Sequence, residues 1–409
     1  MYLDSANKNE CSGCEACAQI CGKSAISIQE DEEGFRYPHI DSVKCINCSL
    51  CRKVCPVSNL PQKNHGTPYV FGGYIIDKSI RFKSTSGGAF SAIVDAFCDS
   101  NYVVFGAASD KLKVYHTFIE DKSDLDLFRK SKYSQSSIGT SYKDAKRFLS
   151  SGKKVLFSGT PCQIAGLLNY IGKSNIDNLL TVEVVCEGVP SPLYIKKLND
   201  HFKCKHGFEI ETLDYRYTGK SIFNNGKWDF QAMKIDIAQV NRSFIKDRWF
   251  NPFWSIWLSH LMSRPSCYHC KFTTIGRVAD ITLGDLWGVH LYCPELYGKN
   301  GGSSLVVCNS EKGKQIFLKA KTKMYGHELR FEDALKYQSP MRKTIGENKD
   351  RELFMSDLSS DMSYRELVKK WASRPSAKLL FQKYIWGNRQ KIFCWNLKNT
   401  LFKKGKNNA

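Results

Sequence analysis

The chain has 409 residues, 42% of them hydrophobic, and a formal charge of +20 at pH 7. That length admits two or three domains with real cores, and no apolar run approaches the ~18 to 20 residues that a membrane-spanning helix needs. The charge is uneven: after Glu366 there is no acidic residue and eleven Lys and Arg, so over half of it sits in one tail that lacks a nucleic-acid recognition motif, which argues against nucleic acid as the partner.

The first chemistry-bearing stretch is "ECSGCEACAQICG", with Cys11, Cys14, Cys17 and Cys21 in the rhythm C-x2-C-x2-C-x3-C. It returns as "KCINCSLCRKVCP", with Cys45, Cys48, Cys51 and Cys55, each 34 positions after its counterpart. A constant offset marks an internal duplication. Disulfides are disfavoured because "MYLDSANKNECSG" contains no apolar signal segment, and zinc would leave four thiolates without a purpose. The spacing is that of two-cluster bacterial ferredoxins, in which the fourth cysteine of each run reaches across to the other cluster. That rule assigns Cys11, Cys14, Cys17 and Cys55 to one 4Fe-4S cubane, and Cys45, Cys48, Cys51 and Cys21 to a second. Cys21 is followed by Gly22 where proline is usual, while Cys55-Pro56 keeps the pattern. Such clusters imply a reducing, cytoplasmic location.

The ferredoxin-like α+β module is expected over 1–60, followed by the linker "NLPQKNHGTPY". Strands are expected at 69–77, 102–108, 153–159 and 179–186, alternating with helices as in an α/β domain over 68–345. "KSTSGGAFSAIVDAF" places Ser86, Gly87 and Gly88 before a helix, where glycine lets backbone approach a ligand and free amides suit phosphate. An ordinary capped helix explains this stretch equally well. In "VLFSGTPCQIAGLLNYI" Thr160 can cap and Pro161 suits the first helical position, so Cys162 sits in the first turn of a helix, where a thiolate is favoured. Cys186 ends the next strand, and "RPSCYHC" adds Cys267 and Cys270. Cysteines at the carboxyl ends of successive strands face the crevice where open α/β sheets bind ligands. Cys98, Cys204, Cys293, Cys308 and Cys394 are expected to be ordinary unligated thiols, and His116, His201, His206 and His290 have no metal-like spacing. "GLLNYIGKS" fails as a P-loop on both spacing and position. From 350 to 409 a basic helical tail is expected, broken at Arg374-Pro375. Its "RQKIFCWNLKNTLFKK" segment (389–404) suits either packing on its own domain or contact with an anionic membrane surface.

Taken in order, "STSGGAFSAI" (84–93), "KSKYSQSSIG" (130–139), "GTPCQIAGL" (159–167), "VCEGVPSP" (185–192) and "DITLGDLWG" (280–288), behind the duplicated cysteine runs, make the chain similar to the beta subunits of coenzyme F-420-reducing hydrogenases and dehydrogenases. The resemblance implies an FAD-binding α/β domain and a further iron–sulfur cluster inside it. Matched to this sequence, the flavin residues would be Ser86, Gly87, Gly88, Lys132, Tyr133, Gln135, Thr160 and Gln163. The third cluster would fall to Cys162, Cys186, Cys267 and Cys270. Zinc would be satisfied by the same four thiolates, and Cys162 as a lone nucleophile is a further alternative. His269, Glu187 and Asp285 are the candidate proton donors. The expected activity is electron exchange between a ferredoxin-type donor or partner redox subunit and, through FAD, a two-electron organic or deazaflavin-like small molecule. The rival reading is a non-catalytic electron-transfer subunit feeding a partner enzyme.

Overall fold

The structure, a computed structural model, describes residues 1–64, 66–172, 176–219, 231–297 and 301–387, with 390, 392–394 and 396–397. In chain order the strands are β1 (Ile26–Glu30), β2 (Arg36–Ile40), β3 (Tyr69–Ile75), β4 (Tyr102–Asp110), β5 (Lys113–Ile119), β6 (Lys154–Gly159), β7 (Leu179–Val184), β8 (Thr212–Tyr217), β9 (Ala232–Ile237), β10 (Arg242–Asp247), β11 (Ile281–Asp285), β12 (Ser304–Cys308) and β13 (Met324–Glu328). Eight of them form one sheet in the order β13-β3-β12-β11-β7-β6-β4-β5.

The sheet is mixed. β4, β6, β7 and β11 run parallel at its centre, while antiparallel strands extend it on both sides. The central runs "KVLFSG" and "LLTVEV" are almost continuously apolar because helices cover both faces. On one face the helix Ala89–Phe97 packs Ile93 and Val94 with Phe317 against Phe71, Leu156 and Ile281. On the other, Tyr142, Ile164 and Leu167 pack against Phe105 and Phe157. Four expected strands coincide with β3, β4, β6 and β7 to within two residues at each end. The three-stranded sheet β10-β9-β8 is a separate layer.

Two features change the picture of successive modules. The hairpin β1–β2 buries Phe35 and Tyr37 in the same core as Tyr194, Phe253, Trp254 and Phe354. Gln19 also reaches out of the N-terminal module, its side-chain oxygen accepting from the Tyr142 and Lys143 amides. It thereby caps the helix Ser141–Ser150, whose own N-cap Thr140 supplies no side-chain bond. The expected tail likewise divides. Its helices Arg351–Ser359 and Tyr364–Trp371 bury Phe354, Met355, Leu358 and Leu367 in that core, and only beyond the break at 372–376 do Phe381, Ile385 and Trp386 stand exposed. Within the basic 389–404 segment, Trp395, Leu401 and Phe402 lie outside the described residues. No described helix is long and apolar enough to cross a membrane.

Candidate iron–sulfur and cofactor site

The duplication read from the cysteine rhythm is repeated in the backbone. The helices Ala16–Ile20 and Leu50–Val54 begin at Glu15 and Ser49, 34 positions apart, with φ of 60° and 59°. Each ends on an extended cysteine, Cys21 or Cys55. Cys11, Cys14, Cys17 and Cys55 line one cavity. Burial and the neighbouring Cys17, Cys55 and Cys11 hold the Cys14 thiol well above the ordinary thiol range. Cys17 also feels Cys51, which in turn lies under the influence of Cys48 and Cys45. The two groups are therefore adjacent, one buried and the other near solvent, with Cys48 exposed.

Cys162, Cys186, Cys267 and Cys270 line a second cavity. They arrive from three pieces of the fold. β6 ends at Gly159, and the helix Pro161–Ile171 starts with a capping box between Thr160 and Gln163 that places Cys162 in its first turn. Such a cap contributes ~1 kcal/mol. Cys186 lies two residues beyond β7, Cys267 is in the short helix Pro265–Tyr268, and Cys270 follows it on the segment leading to β11. Gly188 passes close behind them. Its φ is +100°, and a Cβ there would lie 3.4 Å from the Cys267 Cβ, so only glycine fits without strain. Burial pushes the Cys162 thiol up to about 11 and the Cys267 thiol up to about 12. Despite its helix start and a Thr160 hydroxyl at 3.2 Å, Cys162 is thus a poor free thiolate. Ser12 and Val57 line both cavities, so the two four-cysteine sites share a wall.

Two arginines absent from the sequence reading organise this region. Arg264 is fully buried. Its Nε donates to the Cys11 carbonyl at 2.8 Å, Nη1 to Gln135 Oε1 at 3.0 Å, and Nη2 to the Arg36 carbonyl at 3.0 Å. It thus joins the first cysteine loop to the Cys267–Cys270 loop, three residues before Cys267. Arg277 pairs with Glu183 inside the sheet and donates to the Phe272 carbonyl at 2.8 Å, anchoring the other side of that loop. The sequence signal was slight: an arginine at each end of a CxxC loop, in a chain already rich in basic residues.

The expected flavin residues occupy three places. Ser86 donates to the Ser303 carbonyl at 3.0 Å. A Cβ on Gly87 would come within 2.4 Å of the Gly73 carbonyl and 2.6 Å of the Ser304 amide, so this glycine lets the turn lie against β3 and β12. Gly88 then starts the helix Ala89–Phe97 without a side-chain cap. Thr85 accepts from the Ser131 amide at 2.8 Å, which brings Lys132 to the same turn. Lys132 is mostly buried and pushed down to about 8 by that burial. Its ammonium donates to the Arg129 carbonyl at 2.9 Å, and among the described residues no carboxylate pairs with it. Tyr133 is enclosed by Tyr215, Trp254 and Trp257. Gln135 donates to the Ser12 and Gly13 carbonyls, and Gln163 bonds Thr160 and Ser136.

Glu187 and His269 line the Cys162 cavity. Burial raises the Glu187 carboxyl, with Arg248 opposing. Asp285, at the carboxyl end of β11, forms a buried ion pair with Arg216 at 2.7 Å. That pair takes up its carboxylate, and Asp285 is not among the residues lining the four-cysteine cavity.

Fold and cysteine sites together define an iron–sulfur protein of oxidoreductase type. Residues 152–333 match the family model described as the C terminus of the coenzyme F-420 hydrogenase/dehydrogenase beta subunit. Residues 10–59 match the 4Fe-4S dicluster domain. The chain is 32% identical over 130 residues to the trichloroethene reductive dehalogenase of Dehalococcoides mccartyi, a match covering 26% of this chain and 22% of that protein. The match thus spans about a fifth of that relative's length. Among solved structures it is similar to a chain of the F-420-reducing NiFe hydrogenase complex from Methanosarcina barkeri, with TM-score 0.43 and 17% identity, covering 68% of this chain and 89% of that one.

Proposed function

We propose that this chain is an iron–sulfur flavoprotein oxidoreductase that carries a third 4Fe-4S cluster on Cys162, Cys186, Cys267 and Cys270 and exchanges electrons with a two-electron organic acceptor through FAD. The observation that carries the reading is the shared wall: two cavities, each lined by four cysteines, meet at Ser12 and Val57. Cubanes carry one electron each, and a flavin converts single electrons to pairs. A redox-inactive zinc in the inner cavity would leave the N-terminal clusters with no onward route.

The chain's own residues supply the surroundings. Arg264 places a buried cation between the two cysteine loops. The uncapped helix start at Gly88 and the half-buried Lys132, which has no carboxylate ion-pair partner among the described residues, suit a pyrophosphate. Electrons would enter at the Cys45–Cys51 loop, where Val43, Ile46 and Leu50 stand exposed beside Lys44, Arg52 and Lys53. Such an apolar patch with a basic rim suits an acidic one-electron donor protein.

The test is metal and flavin analysis of anaerobically purified protein. About twelve irons and one FAD per chain are expected, falling to about eight irons in Cys186→Ser or Cys270→Ser. Eight irons in the parent protein with one zinc lost in these variants would replace the third cluster by zinc. Absence of flavin would overturn the flavoprotein reading.

A further inference from the structure

Cys293 was expected to be an ordinary buried thiol, and His327 carried no signal in the sequence. The fold brings them together. Cys293 and Glu295 flank Pro294 at the short turn after the helix Val289–Tyr292. His327 lies on the edge strand β13, opposite Gly72 of β3. The Cys293 thiol donates to Glu295 Oε1 at 3.1 Å, and His327 Nε2 is 3.7 Å from the same oxygen. All three ligand atoms lie within 4.8 Å of one another. Cys293 is buried, and His327 Nε2 is shielded from solvent without a hydrogen-bond partner.

We infer that Cys293, Glu295 and His327 form a separate site for one zinc-class divalent cation, independent of the iron–sulfur and flavin reading. One thiolate, one imidazole and one carboxylate are the donors that a borderline-soft ion selects. Calcium and magnesium prefer oxygen alone, and a single thiolate cannot hold a cubane. The cation takes the place of the thiol proton now directed at Glu295, draws on the unused imidazole nitrogen, and completes a tetrahedron with water. Its role is a staple. The turn that follows Asp285, Leu286 and Trp287 becomes fastened to the outermost strand of the sheet, holding that segment where Asp285 meets Arg216. The ligands lie 34 positions apart at the extremes, without a repeated spacing among them, which is why the sequence conceals them.

The experiment uses full-length, iron-loaded protein equilibrated anaerobically with zinc chloride, then freed of excess metal. One zinc per chain should remain, bound at least about ten-fold more weakly in Cys293→Ser and in the less disruptive His327→Ala, with iron content unchanged. X-ray absorption at the zinc edge should report one sulfur near ~2.3 Å and lighter ligands near ~2.0–2.2 Å. No retained zinc, or equal retention by parent and His327→Ala, overturns the site. An all-sulfur shell does so too, and would place zinc in a four-cysteine cavity instead.

Discussion

At the residue scale, the buried guanidinium of Arg264 ties two cysteine loops that are some 250 residues apart in sequence. Replacing it with methionine leaves the Cys11 and Arg36 carbonyls without donors, at ~1–3 kcal/mol for each buried group. It also removes a positive charge beside the Cys11 loop. Arg264→Met should therefore unfold at lower denaturant and show a more negative midpoint potential for the neighbouring cluster, read by redox titration with EPR. Arg264→Lys should restore much of the potential while stability stays low, and equal potentials in all three proteins would refute the electrostatic role. His116 provides a second check. It is buried against Phe157, bonded to Ser136 at 2.8 Å, and burial lowers its pKa from 6.5 to about 4. Between those values the folded protein holds fewer protons than the unfolded chain, so stability is lost as pH falls. In urea unfolding, the stability difference between parent and His116→Gln should shrink on acidification by up to ~3 kcal/mol. A difference constant with pH would show that His116 keeps its ordinary titration. The eight N-terminal cysteines were legible because their spacing is local, whereas Cys162, Cys186, Cys267 and Cys270 were picked out only by strand-end position and the family resemblance. Arg264 and Arg277 were not, because a buried arginine looks in sequence like a surface one.

At the scale of single elements, the junction after a strand decides where chemistry sits. β6 into the Pro161 helix was readable because its start chemistry is local: a threonine cap, a proline and a glutamine three positions on. The close pass of Gly188 behind Cys267 was not. Gly188→Ala forces a side chain onto φ +100° beside Ile345 and Cys267, which should lower stability by ~1–2 kcal/mol and, on the proposed third cluster, cut iron content by about four with the N-terminal iron retained. Unchanged iron would show that the loop tolerates displacement. The turn at Gly87 illustrates the converse. Glycines that read as a phosphate loop also serve close contact with β3 and β12, and both uses leave the same sequence.

At the scale of the whole molecule, the N-terminal iron–sulfur segment is built into the rest. Glu33 pairs with Arg351 at 2.6 Å, Glu15 accepts from the Ile138 amide at 3.0 Å, and Tyr37 lies in a core shared with the helix Arg351–Ser359. Removing residues 1–60 exposes that core, takes the Cys11 and Arg36 carbonyls from Arg264 and takes the Glu33 carboxylate from Arg351. The shortened chain should be insoluble or lack a cooperative thermal transition. A soluble, cooperatively folding remainder would mean that the interface contributes little.

By itself the sequence determined the duplicated cluster spacing, four of the eight strands of the central sheet, and the helix start that carries Cys162. Each rests on a short local pattern, the cysteine rhythm being written twice at a fixed offset of 34 positions. Only the tertiary structure decided that Cys162, Cys186, Cys267 and Cys270 share a cavity, that this cavity adjoins the one lined by Cys11, and that part of the basic tail lies in the core. Those facts rest on contacts between distant segments, where burial and shape complementarity select the partner and no local pattern records the choice.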